Sequence, residues 1–108
     1  MKEIKSIQEF EQVISQDKPV LLDFYADWCG PCRALLPTVE ALSEEFGEEA
    51  VIAKINVDQN PELAAQFQVR SIPTLFILKD GKVEDRLMGV QPKSVLADKL
   101  EAIGAVTV

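Results

Sequence analysis

The fold is decided by residues 19–32, which have the sequence PVLLDFYADWCGPC. The segment from Pro19 to Ala26 is apolar nearly throughout, with Asp23 as the exception. A continuous apolar run of this length is typical of a central strand that is covered on both faces of its sheet. A helical pattern of apolar residues begins at about Cys32. Cys29 and Cys32 therefore lie where a buried strand ends and a long helix begins.

Apolar spacing and capping residues predict four helices. The first helix follows Ser6, and the second runs from about Cys32 to Phe46. The third runs from Asn60 through Phe67, and the fourth begins at Pro92. The first has a capping box, because the Ser6 oxygen and the Glu9 carboxylate can each accept a backbone N–H. Asn60 should cap the third helix, with proline at its first position. In the second helix, Pro37 should introduce a kink and Gly47 should end the helix.

Three further strands are predicted after the first one. They are Val51–Val57, which is interrupted by Lys54, then Thr74–Leu78 and Val83–Met88. The last two are joined by Asp80-Gly81, a dipeptide typical of tight hairpins. Strands that alternate first with helices and then form a hairpin predict an α/β fold with a mixed sheet and helices on both faces. Residues 1–108 should form a single domain.

The composition excludes several classes of function. Apolar residues make up 47% of the chain and charged residues 27%, which argues against disorder. The net charge of −7 repels nucleic acid and anionic lipid, so we expect neither as a primary partner. The first residues lack the apolar core of a signal peptide, and no apolar run approaches the roughly eighteen residues of a membrane span. We therefore expect a cytoplasmic protein in a reducing compartment.

The two cysteines have the C-x-x-C spacing, and the chain contains no histidine. At the start of a helix, free N–H groups and the helix dipole stabilise a thiolate at Cys29, and only the thiolate attacks disulfides. Cys29 should be the more exposed cysteine, with Cys32 pointing inward. A zinc site needs about four ligands, and two cysteines without histidine do not supply them, so we expect no metal. A structural disulfide and inert core cysteines remain as alternatives.

Asp23 and Lys54 are charged residues inside apolar runs. A buried Asp23 would have a raised pKa and could take a proton from Cys32. The alternative is an edge strand that turns Asp23 toward water. Lys54 could be a partial counter-charge for Asp23, and a surface lysine fits the sequence equally well.

The chain resembles the thioredoxin family along nearly its whole length. The resemblance is carried, in the family's order, by Asp23–Cys32, Ala53–Asp58, Arg70–Thr74, Lys79–Lys82 and Gly89. It implies a thioredoxin fold, in which a central five-stranded mixed β-sheet is flanked by four α-helices. It also implies a monomeric protein-disulfide reductase that holds no bound cofactor. Its partners would be disulfide-containing protein substrates and a flavin-dependent thioredoxin reductase that passes on electrons from NADPH.

The resemblance also assigns roles to individual residues. Cys29 would be the attacking thiol and Cys32 the resolving thiol, with Asp23 as the buried acid and Lys54 as its neighbouring cation. Pro73 would follow a cis peptide bond and face the disulfide. The remaining site residues would form the active-site loop and an apolar groove for substrate chains; they are Trp28, Gly30, Pro31, Val57, Ile72, Gly89 and Val90.

Three features of the sequence refine this expectation. Tyr25 stands where many members of the family carry a second tryptophan. Gln68 stands where some members have glycine, so a left-handed backbone conformation at Gln68 would be costly. Gly30-Pro31 adds no positive charge between the cysteines, which favours a reductase over an oxidase or isomerase. The remaining alternative is a thioredoxin-fold binding subunit that needs no redox cycle. Its role would survive replacement of both cysteines by serine.

Overall fold

A computed structural model describes residues 1–108 as a five-stranded sheet with helices on both faces. The strands are β1 (Lys2–Ile4), β2 (Val20–Tyr25), β3 (Val51–Asn56), β4 (Thr74–Lys79) and β5 (Lys82–Met88). The helices are α1 (Ile7–Ile14), α2 (Gly30–Phe46), α3 (Pro61–Gln66) and α4 (Lys93–Ala102), and a single 3₁₀ turn spans Gly47–Glu49. The predicted α/β architecture, with five strands in a mixed sheet and four helices, is confirmed.

The strand order is β1-β3-β2-β4-β5. Strands β1, β3 and β2 are parallel, whereas β4 is antiparallel to β2 and β5 is antiparallel to β4. β2 therefore lies in the centre of the sheet, and all its residues before Tyr25 are buried. The alternative in which Asp23 lies on an edge strand is wrong.

The two faces of the sheet carry separate hydrophobic cores. The first core packs α2 and α4 against the sheet through residues such as Leu35, Phe46 and Leu100. The second packs α1 and α3 against the opposite face through residues such as Phe10 and Leu63. Successive residues of a strand point to opposite faces, so one central strand supplies both cores.

Most of the predicted turns and caps are present. The Ser6 hydroxyl oxygen accepts the N–H of Glu9 at 3.1 Å, and the Glu9 carboxylate accepts the N–H of Lys5 at 2.9 Å. Asp80 and Gly81 both have positive φ, of 54° and 76°, as a tight hairpin turn requires. Helix α2 begins at Gly30, two residues before the predicted start, and runs through Pro37, where the kink stays a prediction.

The cap predicted at Asn60 is wrong in detail. Asn60 does precede α3, but its side chain makes no capping hydrogen bond. Its amide group instead donates to the carbonyl oxygen of Asn56 at 3.0 Å and to that of Ile4 at 3.4 Å. The buried amide therefore ties β1 to the end of β3, and Pro61 at the first position of the helix needs no N–H partner.

Candidate active site

Cys29 and Cys32 form a disulfide at the junction between β2 and α2. Cys29 has extended backbone angles and is the N-cap residue of α2, while Cys32 lies in the first turn, 5.3 Å away between Cα atoms. The N–H of Cys32 donates to the Sγ of Cys29 at 3.1 Å. This is the position at which the positive end of a helix stabilises a thiolate.

The expected difference in exposure between the two cysteines is wrong. Each residue is 4% exposed. Cys29 is covered because the loop before β4 lies against it, with its Sγ 3.8 Å from the carbonyl oxygen of Ile72. The two sulfurs differ in their contacts instead: that of Cys29 receives a backbone N–H, and Cys32 borders a cavity that it shares with Asp23.

Asp23 is buried beneath the disulfide, with 1% of its surface exposed. Its Oδ1 atom is the one buried side-chain oxygen or nitrogen without a hydrogen-bond partner. Burial raises the pKa of Asp23 from 3.8 to about 7; the charge of Lys54 opposes this rise and that of Glu3 adds to it. A carboxyl group with this pKa exchanges protons near neutral pH.

Lys54 lies beside Asp23 in the register of β2 and β3, yet its ammonium group pairs with another residue. The Lys54 Nζ lies 3.6 Å from the Glu3 carboxylate and 5.1 Å from the centre of the Tyr25 ring. The Tyr25 hydroxyl donates to the same carboxylate at 2.8 Å. Lys54 is therefore a neighbouring cation of Asp23, as the resemblance implies, but its closest partner is Glu3.

A cavity of about 230 Å³ joins the buried acid to the inner cysteine. It is lined by Asp23, Tyr25, Ala26, Asp27, Cys32, Arg33, Leu36 and Lys54. A space of this size that is lined by several charged side chains has room for water, which can carry a proton between groups that do not touch. The arrangement brings an acid, a cation and the inner cysteine to one place behind the disulfide.

The front of the disulfide faces the loop before β4. The Ile72–Pro73 peptide bond is cis, which confirms the expectation from the resemblance. Pro73 is buried, and its carbonyl oxygen accepts the N–H of Gly89 at 2.9 Å, so the two loops are joined beside the disulfide. Val57 and Ile72 are partly buried and pack against the cluster that contains both cysteines.

Exposed residues complete this surface. Gly30 and Pro31 are exposed in the first turn of α2, Val90 is 52% exposed, and Trp28 is 70% exposed. The Trp28 indole N–H donates to the Asp58 carboxylate at 2.9 Å, which fixes the direction of the ring. The structure thus places Val57 and Ile72 against the cysteines and joins Pro73 to Gly89, while the groove that the resemblance assigns to these residues stays a prediction.

Sequence reasoning missed three participants of the site, namely Glu3, the Tyr25 hydroxyl and Asp58. Glu3 is found only once the parallel register of β1 and β3 places it next to Lys54. Asp58 is the last residue of the segment Ala53–Asp58 that carries the resemblance, and its position after a predicted buried strand points to the same edge of the sheet as the cysteines.

The described chain contains no group of three or more His, Cys, Asp and Glu side chains that could hold a metal ion. None of its helices has both the length and the apolar character needed to cross a membrane.

Known proteins resemble this chain in both sequence and structure. The thioredoxin family model matches residues 2–102. A thioredoxin from Chlorobaculum thiosulfatiphilum is 48% identical over 90 residues, which is 83% of each chain. One from Alicyclobacillus acidocaldarius is 48% identical over 91 residues, or 84% of this chain and 87% of the relative.

Solved structures agree with this result. A mutant thioredoxin from Halobacterium salinarum superposes with a TM-score of 0.87 and 41% identity, covering 94% of this chain and 88% of the other. The Fasciola hepatica thioredoxin gives a TM-score of 0.86 and 38% identity, covering 94% and 98%. The fold, the disulfide at the start of α2 and these relatives agree: the chain belongs to the thioredoxin family of dithiol–disulfide oxidoreductases.

Proposed function

We propose that Cys29 is the attacking thiol and Cys32 the resolving thiol in the reduction of protein disulfides. The thiolate of Cys29 attacks one sulfur of a target disulfide, forms a mixed disulfide and releases the other target sulfur as a thiolate. The thiolate of Cys32 then attacks the Sγ of Cys29, which releases the second target sulfur. The target gains two electrons and two protons, and the Cys29–Cys32 disulfide forms. The hydrogen bond from the Cys32 N–H to the Cys29 Sγ is the observation that supports this order most directly.

Asp23 is the proton acceptor for Cys32 in this proposal. The Cys32 thiol must lose its proton before it attacks, because a thiol is a poor nucleophile. Asp23 shares a cavity with Cys32, and its raised pKa makes its carboxylate basic enough to take that proton near neutral pH. Lys54 favours the ionised form of Asp23 through its charge.

The substrate chain lies in the groove in front of the disulfide. Its apolar wall is formed by Trp28, Val57, Ile72, Gly89 and Val90, and the exposed residues Gly30 and Pro31 lie between the two cysteines. Because Pro73 has no N–H, the backbone of Ile72 is the part of this loop that pairs with an extended substrate segment.

Electrons return to the Cys29–Cys32 disulfide from NADPH through a thioredoxin reductase. The protein acts as a single-domain monomer in the cytoplasm. The match of the family model to residues 2–102 supports the reductase as the electron source, and the reducing state of the cytoplasm suits a chain that has only the two working cysteines.

Reduction of insulin disulfides, coupled to NADPH and a thioredoxin reductase, tests the proposal. We expect the wild-type chain to catalyse NADPH oxidation in the presence of insulin, and Cys29→Ser to be inactive. Activity with dithiothreitol but none with any reductase would contradict the proposed electron source.

A further inference from the structure

Three charged residues lie side by side on neighbouring strands beneath the disulfide. Glu3 of β1 is the register partner of Lys54 of β3, and Lys54 is the register partner of Asp23 of β2. Register partners on adjacent strands point to the same face of a sheet. Glu3 and Lys54 are each about one-quarter exposed, at 26%, whereas Asp23 is buried. The row therefore runs from the edge of the sheet to the proposed proton acceptor.

The outer end of this row is held by Tyr25. Its hydroxyl lies 2.8 Å and 3.0 Å from the two oxygens of the Glu3 carboxylate, and its ring lies under the Lys54 ammonium group. The Lys54 ammonium group is 3.6 Å from Glu3. Of the two carboxylates that flank it in the row, Lys54 therefore pairs with the one that Tyr25 anchors, which is Glu3.

We propose that Glu3 is a positioning residue for the exchange reaction: held by the Tyr25 hydroxyl, it keeps the Lys54 ammonium group paired at the sheet edge and preserves the basicity of Asp23. The inference rests on the proposed role of Asp23 as proton acceptor. Without Glu3, the ammonium group would have Asp23 as its nearest acid, and a carboxylate beside a free cation is a weaker base.

Charged or titratable groups from several elements face Asp23. They are Lys54 on β3, Glu3 on β1, Tyr25 on β2, Asp27 after β2, and Cys32 and Arg33 on α2. From β4, the register partner of Asp23 is the apolar Leu75. Glu3 is the member of this group that lies farthest along the row from the thiols, so it can be altered without replacing a cavity residue.

Glu3→Gln is the test, because glutamine keeps an oxygen that accepts the Tyr25 hydroxyl and removes only the charge. The readout is the titration midpoint of the Asp23 carboxyl carbon, followed by ¹³C NMR in the oxidised protein. We expect this midpoint to fall by on the order of half a pH unit. The control is Glu101→Gln, which removes the same charge from an exposed site near the end of α4 and should leave the titration midpoint of Asp23 unchanged.

The same substitution in a Lys54→Met background tests whether Glu3 acts through Lys54. We expect the fall in the midpoint to be clearly smaller there, since no ammonium group is left to move. An equal fall in both backgrounds would show that Glu3 acts only by its own charge and would overturn the proposal. So would a midpoint that Glu3→Gln moves no more than Glu101→Gln does.

A second readout separates this inference from the proposed function. The rate at which Cys32 resolves a mixed disulfide should depend on pH, and Glu3→Gln should move the acid limb of that profile to lower pH together with the Asp23 midpoint. If Asp23→Asn resolves as fast as wild type, the proton-acceptor role fails. If Asp23→Asn is slow and Glu3→Gln changes neither the midpoint nor the profile, only the role of Glu3 fails.

Discussion

Asp23 makes a functional contribution at a cost in stability. Its pKa rises from 3.8 to about 7 on folding, so the native state binds more protons than the unfolded state between these values. Stability should fall as pH rises through that window, because ionisation of a buried acid opposes folding. Asp23→Ala removes the penalty, and we expect the oxidised variant to gain on the order of a few kcal/mol in unfolding free energy at pH 8.

Urea denaturation at pH 4 and at pH 8 measures this effect. The difference between the variant and wild type should be small at pH 4 and large at pH 8. Asp98→Ala, at an exposed position of α4, is the matched control. Its difference in unfolding free energy from wild type should be the same at pH 4 and at pH 8. A variant that is less stable than wild type at pH 8 would contradict the assignment of Asp23 as a desolvated acid.

The two cysteines should behave differently despite their equal exposure. The Cys29 sulfur accepts a backbone N–H at a helix start, so its thiolate is the more stabilised of the two. We expect Cys29 to alkylate faster, Cys32→Ser to trap mixed disulfides with target proteins, and Cys29→Ser to trap almost none. Mass spectrometry of the trapped species provides the measurement, and equal trapping by both variants would reverse the assignment.

The sequence was sufficient for residues whose chemistry is local. Cys29 and Cys32 follow from a motif at a strand–helix junction, and Asp23 stands out because it interrupts an apolar run. Glu3 could not be found in this way, since its place next to Lys54 depends on the register of two strands separated by almost fifty residues of chain. The exposure of Cys29 was mispredicted because the loop that covers it is also distant in sequence.

At the scale of elements, the turn after α3 contains a residue in an unfavourable backbone conformation. Gln68 has φ of 54°, which glycine adopts without the steric cost that a side chain brings. Its carbonyl oxygen accepts the Arg86 guanidinium at 3.1 Å, a contact that glycine would keep. Gln68→Gly should therefore raise the unfolding free energy by up to about 1 kcal/mol.

A neighbouring glutamine supplies the control for this prediction. Gln66 is exposed in the last turn of α3 and has helical geometry, so Gln66→Gly should lower the unfolding free energy by about 1 kcal/mol. Chemical denaturation of both variants would compare them directly. If both glycine variants lose stability equally, the strain at Gln68 is not significant.

The length of a helix or strand determines how well its position can be predicted from the sequence. α2 and β2 carry long apolar patterns, and their predicted ends lie within two residues of the observed ones. β1 has three residues, of which only Ile4 is buried, so it carries no periodic signal and entered the prediction only through the family's five-stranded sheet. The Asn60 side chain was mispredicted because its acceptors lie on other elements.

At the scale of the whole molecule, the two cores should hold the fold without the disulfide. The bond closes a ring of only four residues, and loops this short contribute at most about 2 kcal/mol. We expect the Cys29→Ser, Cys32→Ser double variant to unfold cooperatively with a loss no larger than that, and to have no reductase activity. Circular dichroism and insulin reduction test the two parts, with oxidised wild type as the reference for stability. A biological role that survives in this variant would favour a redox-independent binding subunit.

The two faces of the sheet differ in how far their surfaces can be altered without affecting the redox site. Asp23 and the helix that begins at the disulfide belong to the face covered by α2 and α4. The opposite face contains a packed aromatic group of Phe10, Phe24, Phe67 and Phe76, none of which lines the cavity behind the disulfide. The surface over α1, which contains none of the site residues, is therefore the place for protein engineering: affinity tags, fluorophores or grafted recognition loops attached there would leave the redox chemistry intact.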